Sequence, residues 1–226
     1  MNSSSTSLVA RSWWGRAGLF GLIVLLGGCQ AAYLGALEKI GIPKREVLLD
    51  RVSKARSSQE DAKEQFASAL EKFLAITKVE PGELKSRYEQ LNSELKRNEA
   101  RATEVRDRLA SVKDVAEALF SEWKKELEQY SSADLRSRSE VQLAATQKSY
   151  AELLVVMERA AARMEPVLKA FRDQVLFLKH NLNAQAIRSL DTTSRTLQAD
   201  IGRLIEDMEK SIREADEFMK GLQPTT

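Results

Sequence analysis

From about residue 44 onward, apolar residues recur along the chain in alternating steps of four and three, the heptad spacing of helices packed lengthwise on one another. A first stripe runs Leu48, Val52, Ala55, Gln59, Ala62, Phe66, Ala69, Phe73 and Ile76, predicting a helix over about residues 44–78. The sequence Glu80-Pro81-Gly82 then reads as a tight turn. The next stripe is the cleanest: Leu84, Tyr88, Leu91, Leu95, Asn98, Ala102, Val105, Leu109, Val112, Ala116 and Leu119, within a helix over about 83–130. Asn98 is its one strongly polar member, and a polar residue in such a seam fixes register at some cost in stability.

Past Leu119 the phase slips through Phe120, Trp123, Leu127 and Tyr130, and Ser131-Ser132-Ala133-Asp134 stops one helix and caps another. A third helix over about 133–180 carries Leu143, Tyr150, Leu154, Met157, Ala161, Met164, Leu168, Phe171, Val175 and Leu178. Pro166 lies inside it, which removes a backbone hydrogen bond and predicts a kink. Asn181 to Asn183 is the third turn. A fourth helix over about 184–221 shows Ile187, Leu190, Leu197, Ile201, Leu204, Met208, Ile212, Ala215 and Met219.

Short turns force antiparallel neighbours, so the fold class expected is all-α, an elongated antiparallel bundle or coiled coil of about four long helices. At 1.5 Å per residue the outer helices reach roughly 50 Å and the middle two roughly 70 Å. That mismatch predicts that the hairpin of helices two and three protrudes, displaying Phe120, Trp123, Tyr130 and Leu135 near the end where Cys29 lies. Those four either pack on the segment before residue 44 or form a sticky end for a membrane or partner.

That earlier segment has a different character. Arg11 and Arg16 precede an apolar run from Ala17 to Leu26, followed by Gly27 and Gly28. A positive start, a short apolar run and small residues at a cleavage point describe an export signal. The run falls short of the about 20 residues a membrane-spanning helix needs. Leu26-Gly27-Gly28-Cys29 resembles the lipobox of bacterial lipoproteins: a Leu, two small residues and the modified Cys. The resemblance implies diacylation of the Cys29 sulfur by chains such as palmitate, cleavage before Cys29 and acylation of the new amino terminus. Residues 1–28 are then a signal peptide, 29–43 a lipidated tether, 44–222 the helical bundle and 223–226 a flexible tail. Gln30 and Ala31 follow the Cys in place of the Asp that often retains such proteins at the inner membrane. The expected location is therefore the cell envelope, anchored to the outer membrane and facing the periplasm. Two or more acyl chains hold a protein stably where one does not. Within the tether, Tyr33, Leu34, Leu37, Ile40 and Ile42 give an apolar side that packs on the bundle or lies at the lipid surface; Gly41 and Pro43 break it, Pro43 suiting the first turn of the next helix.

Composition narrows the function classes. The chain has 35 Lys and Arg against 33 Asp and Glu, and residues 1–28 carry two Arg and no acid, so the remainder balances at 33 of each. A balanced surface lacks the clustered basic face that nucleic acid wants. Charged residues at 30%, with only four Pro and half of the ten Gly in the leader, again read as long helices. Cys29 is the only cysteine and His180 the only histidine. A lipidated Cys29 leaves no thiol for a disulfide, a metal or nucleophilic work. No Glu-x-x-His pair, phosphate-binding Gly loop or Gly-x-Ser-x-Gly occurs, so the expectation is a protein without enzymatic activity, metal or cofactor. Carboxylates such as Glu206, Asp207, Glu214 and Asp216 read as solvated faces.

The segment Lys44-Arg-Glu-Val-Leu-Leu-Asp-Arg-Val-Ser-Lys-Ala-Arg56, with Gln59-Glu-Asp-Ala-Lys-Glu-Gln-Phe66, resembles a family of exported bacterial helical proteins catalogued only as a domain of unknown function. Phe177-Leu-Lys-His-Asn-Leu-Asn-Ala-Gln-Ala-Ile187 is similar to another part of it. The resemblance implies no activity. It suggests that Lys179, His180, Asn181 and Asn183 form a surface at the bundle tip far from the membrane, against the plainer reading that these Asn residues shape a turn. Trp123, on the overhang, is the other candidate contact. Two functions follow: a non-catalytic lipid-anchored scaffold or interaction module, with a protein partner or self-association; or a carrier of an apolar or lipid ligand between helices, in space left by Ala55, Ala62, Ala102 and Ala161.

Overall fold

The computed structural model describes residues 41–76, 83–181 and 184–223, the side chains of residues 76 and 184–193 excepted. The unit from Pro43 onward is the one described here. Cys29, the tether up to Ile40, the turn at Glu80-Pro81-Gly82 and Asn183 lie outside the described residues.

Four helices make up the second unit: α1 (Lys44–Ile76), α2 (Leu84–Leu127), α3 (Ala133–His180) and α4 (Ala184–Leu222). Each packs on its neighbours in sequence, and α1 closes the ring against α4. The protein is all-α, an antiparallel four-helix bundle. The heptad stripes are what close it. Every described member of the α1 stripe is buried, Gln59 included. On α2 only Tyr88 is half-exposed, and on α3 only Tyr150 and Leu154. A stripe of this kind supplies little stability helix by helix; the helices persist because their apolar faces cover one another.

The ends of the helices follow from local chemistry. Gly41 adopts φ +86°, a left-handed conformation open to glycine. Pro43 stands just before α1 and not within its first turn, its carbonyl accepting from the amides of Glu46 at 3.0 Å and Val47 at 3.3 Å. Ser132 caps α3, its hydroxyl accepting from Leu135 N at 3.4 Å. Asp134 sits in the first turn of α3, where the helix dipole favours a carboxylate. α3 continues through Pro166, whose side chain is exposed. Ala162, four residues earlier, whose carbonyl the proline leaves without its usual helical donor, is exposed as well.

Ion pairs record the register. Between α2 and α3 they join Glu99 to Arg172, Arg106 to Glu165 and Lys113 to Glu158, each rung seven residues from the last on both helices. Between α1 and α4 the same step separates Arg56–Asp216 from Lys63–Glu209. Numbers that rise on one helix as they fall on the other are the mark of antiparallel pairing. Each exposed rung contributes little by itself, up to about 1 kcal/mol.

Candidate functional site

The predicted contact residues fall at opposite ends of the bundle. Lys44 of α1 reaches Glu122 of α2 at 2.7 Å, and α2 ends at Leu127, five residues later. The hairpin therefore projects past α1 by roughly 8 Å only. On it, Phe120 is core and not surface: it meets Tyr150 with ring centroids 5.4 Å apart, and Tyr150 in turn faces Phe218 at 6.3 Å. Trp123 is half-buried and donates its indole N–H to Ser139 Oγ at 2.8 Å, which ties α2 to α3. Tyr130 and Leu135 are exposed, as is Val141 six residues on.

At the far end, Lys179 and His180 close α3 and are exposed. Asn181 caps that helix: its amide donates to Leu178 O at 3.2 Å and its side chain to Phe177 O at 2.9 Å. The turn-shaping role thus accounts for Asn181, and Trp123 is not part of this surface. Sequence reasoning missed the apolar pair beside it. Leu176 is 58% exposed and Phe177 41%. The signal was present in the run Val175-Leu176-Phe177-Leu178, because a helix that buries its first and last members must turn the middle two outward.

A surface groove of about 250 Å³ lies between α3 and α4, with Thr146, Phe218 and Leu222 beside Glu152, Glu214 and Glu217. The alanines proposed as cavity walls do not line it. Ala55, Ala62, Ala102 and Ala161 are all buried in the seams between helices. Small residues there allow close helix approach. Among the described residues no group of three or more His, Cys, Asp or Glu is placed to hold a metal ion.

Glu94 is the most unusual charged group. It is 1% exposed, on the α1-facing side of α2, and accepts from Gln65 Nε2 at 2.6 Å, Arg97 Nη2 at 2.6 Å and Lys72 Nζ. Burial alone would raise its pKa; the hydrogen bonds from Arg97, Lys72 and Gln65, with the charge of Lys72, outweigh that and hold it at about 2. Its own carbonyl accepts from Asn98 Nδ2 at 2.9 Å. Asn98 Oδ1 and Gln59 Oε1 remain buried without a partner. Two carboxylates expected on solvated faces also join helices, Asp207 to Arg163 of α3 and Asp216 to Arg56 of α1. These groups hold helices together.

Residues 33–222 match the family described as "Protein of unknown function (DUF2959)". The chain belongs to that family. No curated protein and no solved structure matches it. Among the described residues, no helix is long and apolar enough to cross a membrane.

Proposed function

We propose that this protein is a non-catalytic, lipid-anchored helical scaffold or interaction module of the bacterial cell envelope. The observation that carries the reading is the placement of the chain's ends. Residue 43, fourteen positions after Cys29 of the lipobox-like tetrad, enters the bundle at one end. The α3 tip stands at the other, roughly 50 Å away: 29 residues of α1 separate Lys44 from Phe73, which touches Phe171, and six more residues lead to Phe177. A body built this way is a spacer, holding a surface at a set height above its attachment point. The buried Glu94 cluster and the heptad rungs are consistent with a structural role for its charges.

Lipid anchoring at Cys29, outer-membrane location facing the periplasm and protein partnership belong to this proposal. Mass analysis of the protein extracted from its native membrane tests the first: a chain beginning at an acylated Cys29 supports it, and a chain retaining residues 1–28 with a free thiol overturns it. Crosslinking in intact cells, followed by capture through the C-terminal tail, tests the partnership. An apolar-ligand carrier is the second class of function, and a stoichiometric lipid co-purifying with the protein would favour it over the scaffold.

A further inference from the structure

Among the described residues, five of the six exposed large apolar side chains belong to α3: Leu135, Val141, Val155, Leu176 and Phe177. Three of them fall on one column. Taken seven residues at a time along the side of α3 that points away from the core, the chain reads Val141, Lys148, Val155, Ala162, Lys169 and Leu176, all exposed. The outward column of α1 is instead Asp50, Ser57, Glu64 and Glu71, and that of α4 over 206–220 is Glu206, Arg213 and Lys220. On α3, Val141 and Val155 are left 69% and 54% exposed. A second heptad column with apolar residues, on a helix that already buries one, is a seam for another helix.

The charges beside this column identify that helix. Glu152 and Arg159 are exposed and have no ion-pair partner among the described residues. They have opposite signs and stand at equal distances from the point between residues 155 and 156. Arg138 and Asp173, on the same flanking column and also exposed, are opposite in sign and equidistant from that point as well. Arg138 also meets Asp134 at 3.0 Å, but both side chains are mostly in water, where such a pair is worth little. On the other flank Glu158, Glu165 and Arg172 are already taken by Lys113, Arg106 and Glu99 of α2. A helix whose charges invert about its own midpoint is complementary to itself run backwards.

We infer that α3 is the interface of a two-fold symmetric homodimer, packed antiparallel on α3 of a second copy with the axis between residues 155 and 156. Val155 then meets Val155 of the second copy, Glu152 meets its Arg159, and Arg138 its Asp173. Lys148 and Lys169 fall nearly level with Ala162 and Val141 of the second copy, over which their methylene stems lie. Leu135 stands level with Leu176 and Phe177 of the second copy, so the apolar residues exposed at the two ends of α3 come together. Parallel packing would set Lys148 and Lys169 each against its own copy. The inference deepens the interaction-module reading, on which it rests, by making a second copy of this chain the partner; it does not depend on acylation of Cys29. Arg45 Nη2 donates to the carbonyl of Leu222, which places both ends of the bundle at one pole. In the pair these poles point in opposite directions, so the dimer carries an attachment point at each end.

Cysteine crosslinking of the full chain in expressing cells tests the register. Every variant carries Cys29→Ser, so acylation at that position alters none of the readouts. Val155→Cys sets two thiols beside the axis. Oxidation with diamide is expected to convert it to a disulfide-linked dimer about ten times as fully as Val141→Cys, whose copies stand about 40 Å apart, or as Ser57→Cys on the outward column of α1. Adding Glu152→Arg to Val155→Cys is expected to lower the dimer fraction about tenfold by setting like charges opposite each other, and adding Arg159→Glu as well should restore it. All these positions are on the surface, so the fold is retained. Failure of Val155→Cys to crosslink, equal crosslinking of Val141→Cys, or a charge-swapped chain no better than Glu152→Arg alone overturns the inference. Capture of a different protein from cells in which Val155→Cys stays monomeric keeps the interaction module and removes this pairing.

Discussion

Phe73 of α1 meets Phe171 of α3 edge-on across the bundle, ring centroids 5.9 Å apart and ring planes at 87°. These helices are not neighbours in the ring of four, so the contact crosses the centre. Both rings are buried. Phe171→Ala should cost about 3–5 kcal/mol through lost burial and the cavity left behind, and Phe171→Leu about 1.5 kcal/mol or less. Urea unfolding with an unchanged slope would show both; a small shift for Phe171→Ala would mean that the contact is peripheral.

Glu94 sets an acid limit on the α1–α2 seam. Its folded pKa, about 2, lies below the ordinary value of 4.5. A depressed carboxylate contributes stability above its unfolded pKa, and that contribution is lost as pH falls from 4.5 toward 2. Glu94→Gln should therefore destabilise the protein at pH 7 by on the order of 2 kcal/mol, less than a fully buried pair because Lys72 and Arg97 are half in water. The gap between wild type and variant should narrow as pH falls below 4.5 and close only below about pH 2. Urea midpoints across this range decide it, and a gap independent of pH would assign the cost to shape alone.

Asn98 is fully buried, and its Oδ1 lacks a partner. Asn98→Leu removes that unmet acceptor and should raise stability by about 1 kcal/mol. Replacing a polar residue in a seam also removes what fixes its register. The variant should then sediment as more than one species or show broadened amide resonances while unfolding later in urea. A variant that is less stable yet uniquely folded would contradict this.

Tyr150 of α3 joins two aromatic contacts, with Phe120 of α2 and Phe218 of α4. Burial, with the charges of Glu158, Asp114 and Glu117, pushes its phenol up to about 12. A raised value means that stability is present below the unfolded value of 10.0 and lost as pH rises through 12. The difference in ultraviolet phenolate absorbance between wild type and Tyr150→Phe should thus appear above pH 11, in step with loss of helix signal. Its appearance near pH 10 would show an open site.

The stripes made the fold legible because heptad burial is a local rule. Leu48, Asn98 and Met164 are each buried where their spacing put them. Glu94 was not legible: it lies beside the Leu91–Leu95 stripe, and its protection comes from Gln65 and Lys72 on another helix. The same holds for Asp207 and Asp216, whose partners are far away in sequence. Phe120 was misread because the phase slip near the end of α2 hides which side faces Tyr150. Helix lengths suggested a long overhang at the hairpin, yet only the contact of Lys44 with Glu122 shows how short it is.

The bond from Arg45 to the end of α4 brings both extremities of the bundle to one pole, and this decides how it answers to load. Tension between those extremities would peel α1 from α4 a few contacts at a time, at low force. A pull between residue 43 and the far tip must instead slide whole helices past one another against every interlocked layer at once. The molecule is a soft clasp in one direction and a stiff strut in the other.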